Sequence, residues 1–258
     1  MKKPEQLKAK VILYVMLCLT CSFALAGAAF LDMEMQHSIN VFDIISKVII
    51  MVGIFAYASI WKTPINAPDG TFFTPWLLVA LIPFAFNAVD CFCVPNRVPG
   101  AAEIINMLLC VFTTAAWEEM LFRYVGRTLF EQNGKYGVGA IVLLSLTFGC
   151  SHLINIFFYD PIPVLLQTLS ACTFGVFLLA LYQHTGSLWI VITAHGFNNL
   201  IATFFGLFPE SDYIFSSWIN YVLYVITELV VGIYILSKYG YIEKKLKSPT
   251  ACQIEGEI

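Results

Sequence analysis

The sequence predicts an all-α, polytopic membrane protein of about eight transmembrane helices with a polar site buried in the bundle. Three observations predict it. Of 258 residues, 59% are hydrophobic and only 12% are charged, with a mean hydropathy of +0.78; a soluble domain carries about 25% charge. The apolar stretches run to about 20 residues without alternating, the pattern that crosses a bilayer as helix rather than strand. Lastly, Glu118, Glu119 and Arg123 stand inside one such stretch, in a chain with only 17 acidic residues. The net charge of −3 gives no electrostatic footprint for a nucleic-acid partner.

In chain order, Met1–Lys10 carries four lysines and reads as a cytoplasmic tail, without a signal-peptide cleavage site. Val11–Phe30 is the first span, and the acidic Leu31–Asn40, with Asp32, Glu34 and His37, is an outer loop. Val41–Trp61 is the second span, opening on an Asp43/Lys47 pair, and Lys62–Thr74 is a turn region. Pro75–Asp90 is a third, shorter span, followed by the proline-rich Cys91–Gly100. The fourth begins at Ala101 and its helical pattern runs through the glutamates to about Gln132. Gly137–Phe158, Ile162–Tyr182, Leu188–Phe208 and Ser217–Leu236 complete the set, with His184 in the loop after the sixth. An even number of spans returns both lysine-rich ends to one side, which the positive-inside rule makes the cytoplasm; Arg97 is an exception among the loops. The chain is then a multi-pass cell-membrane protein, one membrane domain over 1–258, in contact with membrane lipids. Its eight cysteines show no zinc-finger spacing, and those in spans read as small hydrophobes.

A charged residue at the bilayer centre costs roughly 2.5–3.5 kcal/mol on insertion scales, so the fourth span demands a reason for its three. Glu119 and Arg123 are four residues apart and share a helix face, so they can pair. Glu118 points elsewhere and lacks that partner, which marks it as the working group. Two histidines also fall inside spans, His152 in the fifth and His195 in the seventh. His195 stacks with Asn199 and Phe148 with His152 at the same spacing, while Gly149 and Gly196 allow close helix approach. A carboxylate and a neutral imidazole around one water form a general base pair. His195 and Asn199 are suitable donors for an oxyanion. Together these groups read as machinery for hydrolysing a peptide bond inside the membrane. Glu118, His152 and His195 are also acceptable zinc ligands, but no H-E-x-x-H motif is present. A metal-independent reaction is favoured, with zinc or another divalent metal left open.

Glu118-Glu119 with Arg123, Phe148 with His152, and His195 with Asn199, in successive helices, resemble the motifs of the CPBP family: type II CAAX prenyl proteases and bacteriocin-processing or immunity proteins. The resemblance covers 101–208. It implies an intramembrane endopeptidase of about eight helices whose site opens toward the cytoplasm and whose substrate is a peptide or lipidated protein, CAAX-like or leader-like. It further implies that Glu118 activates water with His152 as partner, that His195 and Asn199 form the oxyanion side, and that Glu119 and Arg123 support them. The family has been described both as metal-dependent and as glutamate-dependent.

Other readings compete. Each motif alone also reads as an ion pair or hydrogen bond that fixes helix packing. A non-catalytic bacteriocin self-immunity protein would keep its effect without Glu118. A proton-coupled transporter would show matched halves, and the sequence has no repeat. A serine mechanism on Ser151 with His195 as base leaves Glu118, Glu119 and Arg123 unexplained. Glu228, alone in the eighth span, stays outside the site, and Asp43, Asp90 and Glu103 read as interfacial.

Overall fold

A computed structural model describes residues 3–35, 40–61, 76–82, 85, 99–132, 134–206 and 217–242. The described residues form helices α1 (Lys3–Glu34), α2 (Val41–Trp61), α3 (Trp76–Ala80) and α4 (Ala101–Glu119). α4 continues through a π-helical segment, Met120–Val125, into α5 (Gly126–Phe130). Then come α6 (Val138–Ser151) with a 3₁₀ extension His152–Phe157, α7 (Pro161–Thr185), α8 (Leu188–Gly206) and α9 (Ser217–Lys238). No strand occurs among the described residues, only two isolated bridges.

Among the described residues, six helices are long and apolar enough to cross a membrane: α1, α2, α4 with its continuation, α6 with its extension, α7 and α9. They match the first, second, fourth, fifth, sixth and eighth expected spans. The seventh is α8, a helix of 19 residues. Half of the expected third span lies outside the described residues, and the other half contains α3; His37, Lys62, Asp90, Cys91, Cys93 and Arg97 also lie outside them. Ile12, Ile49, Ile60 and Ile219 stay more than 60% exposed, as side chains facing lipid must where no water is present to drive them inward.

Local chemistry explains the ends. Pro161 suits the first turn of α7, where its missing N–H costs nothing. Gly186 at φ 63° stops the helix, its N–H reaching the Tyr182 carbonyl at 2.8 Å. The Glu103 carboxylate accepts the Gly100 N–H at 2.8 Å and caps α4. The expected outer loop from Leu31 starts later, because α1 runs on to Glu34. There the Asp32 carboxylate accepts the N–H groups of Phe42 (3.1 Å) and Asp43 (2.8 Å), satisfying donors that α2 leaves open. Asp43, in the first turn of α2, is buried there and paired with Lys47. His184 belongs to the last turn of α7, 3.1 Å from the Tyr241 hydroxyl.

Hydrogen bonds fix which helix ends lie together. Lys10 Nζ donates to the Leu129 carbonyl (3.0 Å), Gln183 Nε2 to that of Gly134 (2.9 Å), and the Tyr136 N–H to that of Tyr241 (2.8 Å). The start of α1 therefore shares one face, the terminal face, with the ends of α5, α7 and α9. Tyr136 is fully buried there, and that burial pushes its phenol well above the ordinary tyrosine range. On the opposite, distal face the Asn40 N–H donates to Asn106 Oδ1 (2.9 Å) and Asn155 Nδ2 to Gln167 Oε1 (3.0 Å). The ends of α1 and α6 and the starts of α2, α4 and α7 meet at this face.

α7 is the central helix, with Phe177 through Tyr182 all fully buried between α6 and α9. Small residues make this possible. A methyl on Gly149 would lie 2.1 Å from Cys172 Sγ, 2.8 Å from the Thr168 carbonyl and 2.9 Å from the Cys172 nitrogen. Two of those atoms are backbone and can yield only if the helices part. Gly149→Ala is expected to destabilise the protein by about 1–3 kcal/mol. Gly139→Ala, which meets nothing within 4 Å, is expected to leave the melting temperature in detergent unchanged or slightly raised. Gly196 plays the same part between α8 and α4, where its substitution would press on the Phe112 ring at 2.6 Å.

Candidate active site

α4, α6 and α8 each bring polar residues to one point in the bundle. Glu118 and Glu119 end the regular part of α4, and the π-helical segment follows directly. A π turn accommodates one extra residue and re-aims the side chains beyond it, a feature frequent at functional sites. Across that change Glu119 Oε2 and Arg123 Nε remain paired at 3.0 Å, with both side chains at most 1% exposed. The guanidinium also stacks over Phe148, its Cζ 4.3 Å from the ring centroid. α6 supplies Phe148 and the 3₁₀ extension supplies His152, while α8 supplies His195 and Asn199.

His195 bridges the two glutamates. Its Nδ1 is 2.7 Å from Glu119 Oε1 and its Nε2 is 3.5 Å from Glu118 Oε2. Phe148 and Phe174 stand edge-on to the imidazole, with centroids at 5.7 and 5.4 Å. The result is one line of groups, Arg123–Glu119–His195–Glu118, carried by two helices that pack together. An ionised Glu119 can only accept, so the Nδ1 proton of His195 is fixed on it. His195 itself is 2% exposed, which puts it behind Glu118 rather than on an accessible wall.

The accessible wall belongs to other members of the set. A cavity of about 500 Å³ is lined by Glu118, His152 and Asn199, with Trp117, Thr114, Ser151 and Asn155. Glu118 Oε2 is buried with no hydrogen-bond partner among the described residues. His152 Nδ1 lies 3.0 Å from the Phe148 carbonyl. A carbonyl can only accept, so Nδ1 carries the proton and Nε2 is the basic nitrogen. Asn199 is half-buried, and its neighbour Asn198 accepts from the Tyr224 hydroxyl at 3.3 Å, tying α8 to α9.

All seven motif residues thus cluster, in two layers. Glu118, His152 and Asn199 face the cavity; His195, Glu119, Arg123 and Phe148 stand behind them. Sequence reasoning missed Phe174, Trp117 and the Asn155–Gln167 pair. Only Asn155, one helical turn beyond His152, carried a signal in its spacing. The imidazole nearest the Ser151 hydroxyl is His152 (3.5 Å), not His195, and that hydroxyl donates to the Phe148 carbonyl at 2.7 Å. Ser151→Ala is expected to keep full activity in a peptide-cleavage assay. Glu228 is buried, accepting from Thr173 at 3.3 Å between α9 and α7. Among the described residues no three His, Cys, Asp or Glu side chains form a group that could hold a metal ion. Glu118, His152 and His195 do not converge in that way.

Comparison with known proteins bears on the middle of the chain. Residues 100–201 match the family described as type II CAAX prenyl endopeptidase Rce1-like. That stretch contains α4 to the middle of α8, with every motif residue. No curated protein and no solved structure matches the chain.

Proposed function

We propose that this membrane chain, Rce1-like over residues 100–201, is an intramembrane endopeptidase that cleaves a membrane-associated peptide with water activated by Glu118. The observation that carries the reading is the buried oxygen of Glu118, unpartnered among the described residues, on the wall of a cavity of about 500 Å³ shared with His152 and Asn199. The cavity is what sets Glu118 apart, because Glu228 Oε1 is also buried without a partner among the described residues but lies on no wall of that cavity.

In this scheme Glu118 takes a proton from water as its oxygen attacks the scissile carbonyl carbon. His152, basic at Nε2, orients that water and shares the proton. The Asn199 amide donates to the developing oxyanion, where one donor is worth about 10²–10³-fold in rate. Collapse breaks the C–N bond, and Glu118 returns the proton to the leaving amine. His195 does not touch the substrate. Held by Glu119 and Arg123, it keeps the Glu118 carboxylate in place. The scheme uses side chains and water alone.

The test is cleavage of two fluorogenic peptides by detergent-purified protein: a prenylated C-terminal peptide and an unmodified leader-type peptide. Wild type and Glu118→Ala are compared with and without a strong chelator. Cleavage lost in the variant and kept in chelator supports the scheme. Loss in chelator, restored by zinc, replaces it with metal-assisted hydrolysis. If wild type cleaves neither peptide while Glu118→Ala keeps the cellular effect of the wild type, the protein is a non-catalytic immunity protein.

A further inference from the structure

We infer that the cavity opens on the extracytoplasmic face of the membrane, so that its substrate is a peptide presented from that side and not a prenylated tail in the cytoplasm. The substrate class rests on the proteolytic reading above; the orientation does not.

Depth comes first. The cavity is walled by the second half of α1 (Ser22 to Met33), the start of α2 (Asn40, Asp43, Lys47), the 3₁₀ extension of α6, Gln167 near the start of α7, and Asn199 to Thr203 of α8. The Asn40–Asn106 and Asn155–Gln167 bonds put the first four of these at the distal face, and α8, which starts beside the terminal end of α7, runs toward it. Met33 and Tyr159, at the cavity's outer end, are exposed. Below Glu118 the chain closes instead. Leu121, Phe122, Arg123 and Tyr124, the next residues toward the terminal face, are each at most 1% exposed.

Charge comes second. Among the described residues, Lys8, Lys10, Arg127, Lys135 and Lys238 lie toward the terminal face, where the Lys10, Gly134 and Tyr241 bonds tie the helix ends together. The distal face carries Asp32, Glu34, Glu103 and Asp160, and its lysine, Lys47, is paired with Asp43. Lysine and arginine are retained on the cytoplasmic side during insertion, whereas acidic residues have little influence. The terminal face is therefore cytoplasmic and the cavity faces away from it. A site entered from the cytoplasm, which the resemblance implied, would need the opposite orientation and would put the lysine-rich ends outside.

The experiment uses single cysteines at two exposed positions, Asp160→Cys and Lys135→Cys, in a full-length chain whose eight native cysteines are replaced by alanine. Intact cells are treated with a membrane-impermeant maleimide before and after permeabilisation. The expected result is full labelling of Asp160→Cys in intact cells and labelling of Lys135→Cys only after permeabilisation. The reverse pattern, or labelling of Lys135→Cys in intact cells, overturns the inference and leaves the proteolytic reading standing. Because the cysteine-free chain could fail to fold, the wild-type chain is also fused at its C-terminus to a fluorescent protein or to alkaline phosphatase. Fluorescence without phosphatase activity is expected, and phosphatase activity overturns the inference. Loss of cleavage by Glu118→Ala is read separately in detergent, where orientation has no effect.

Discussion

Glu118→Gln is expected to lower peptide cleavage by about 10²–10⁴-fold, the range contributed by a positioned general base, while the protein keeps or gains stability. The two halves of this expectation come from one geometry. Glu118 Oε2 makes no hydrogen bond among the described residues, and His195 Nε2 stands 3.5 Å away, too far for a good one. A carboxylate held this way costs solvation free energy that its partners do not return. Glutamine keeps the shape and removes the charge. A packing residue would respond in the opposite sense, with stability falling and any activity falling only in proportion. The measurement is initial cleavage rate beside melting temperature, both in the same detergent. A variant with a lower melting temperature and rate within a few-fold of wild type would remove Glu118 from the chemistry.

Much of this arrangement was legible in the sequence, for physical reasons that differ from part to part. The spans declared themselves because a bilayer leaves the backbone no alternative to helix. Glu119–Arg123 could be read because four-residue spacing in a helix puts two side chains on one face. The layering could not. Which glutamate meets His195 depends on how α4 packs against α8, and Gly196 against Phe112 sets that contact; spacing within one helix says nothing about it. The π-helical turn at Met120–Val125 also left no mark in the hydrophobic pattern. The 3₁₀ segment that starts at His152 and leads out to the distal face left none either.

Arg123→Met is expected to be the most damaging single substitution, costing about 3–5 kcal/mol because it strands a buried carboxylate. Glu119 is fully buried, and its Oε2 has Arg123 at 3.0 Å as its counter-charge. The guanidinium also fills the face of Phe148, which in turn packs edge-on against both His152 and His195. The double variant Glu119→Leu/Arg123→Met separates the two functions of the pair. It removes both charges together, and replacing a buried ion pair by apolar groups of similar volume is often neutral or stabilising. Melting temperature in detergent is therefore expected to recover most of the loss, short of the wild-type value by the cost of the His195 N–H left without its acceptor. Cleavage is not expected to return with it. Without Glu119 the His195 Nδ1 loses the acceptor at 2.7 Å that fixes its proton, so the imidazole can turn and Glu118 loses its support. Recovery of both stability and cleavage would reduce Glu119 and Arg123 to packing. Recovery of stability alone makes them the groups that position His195.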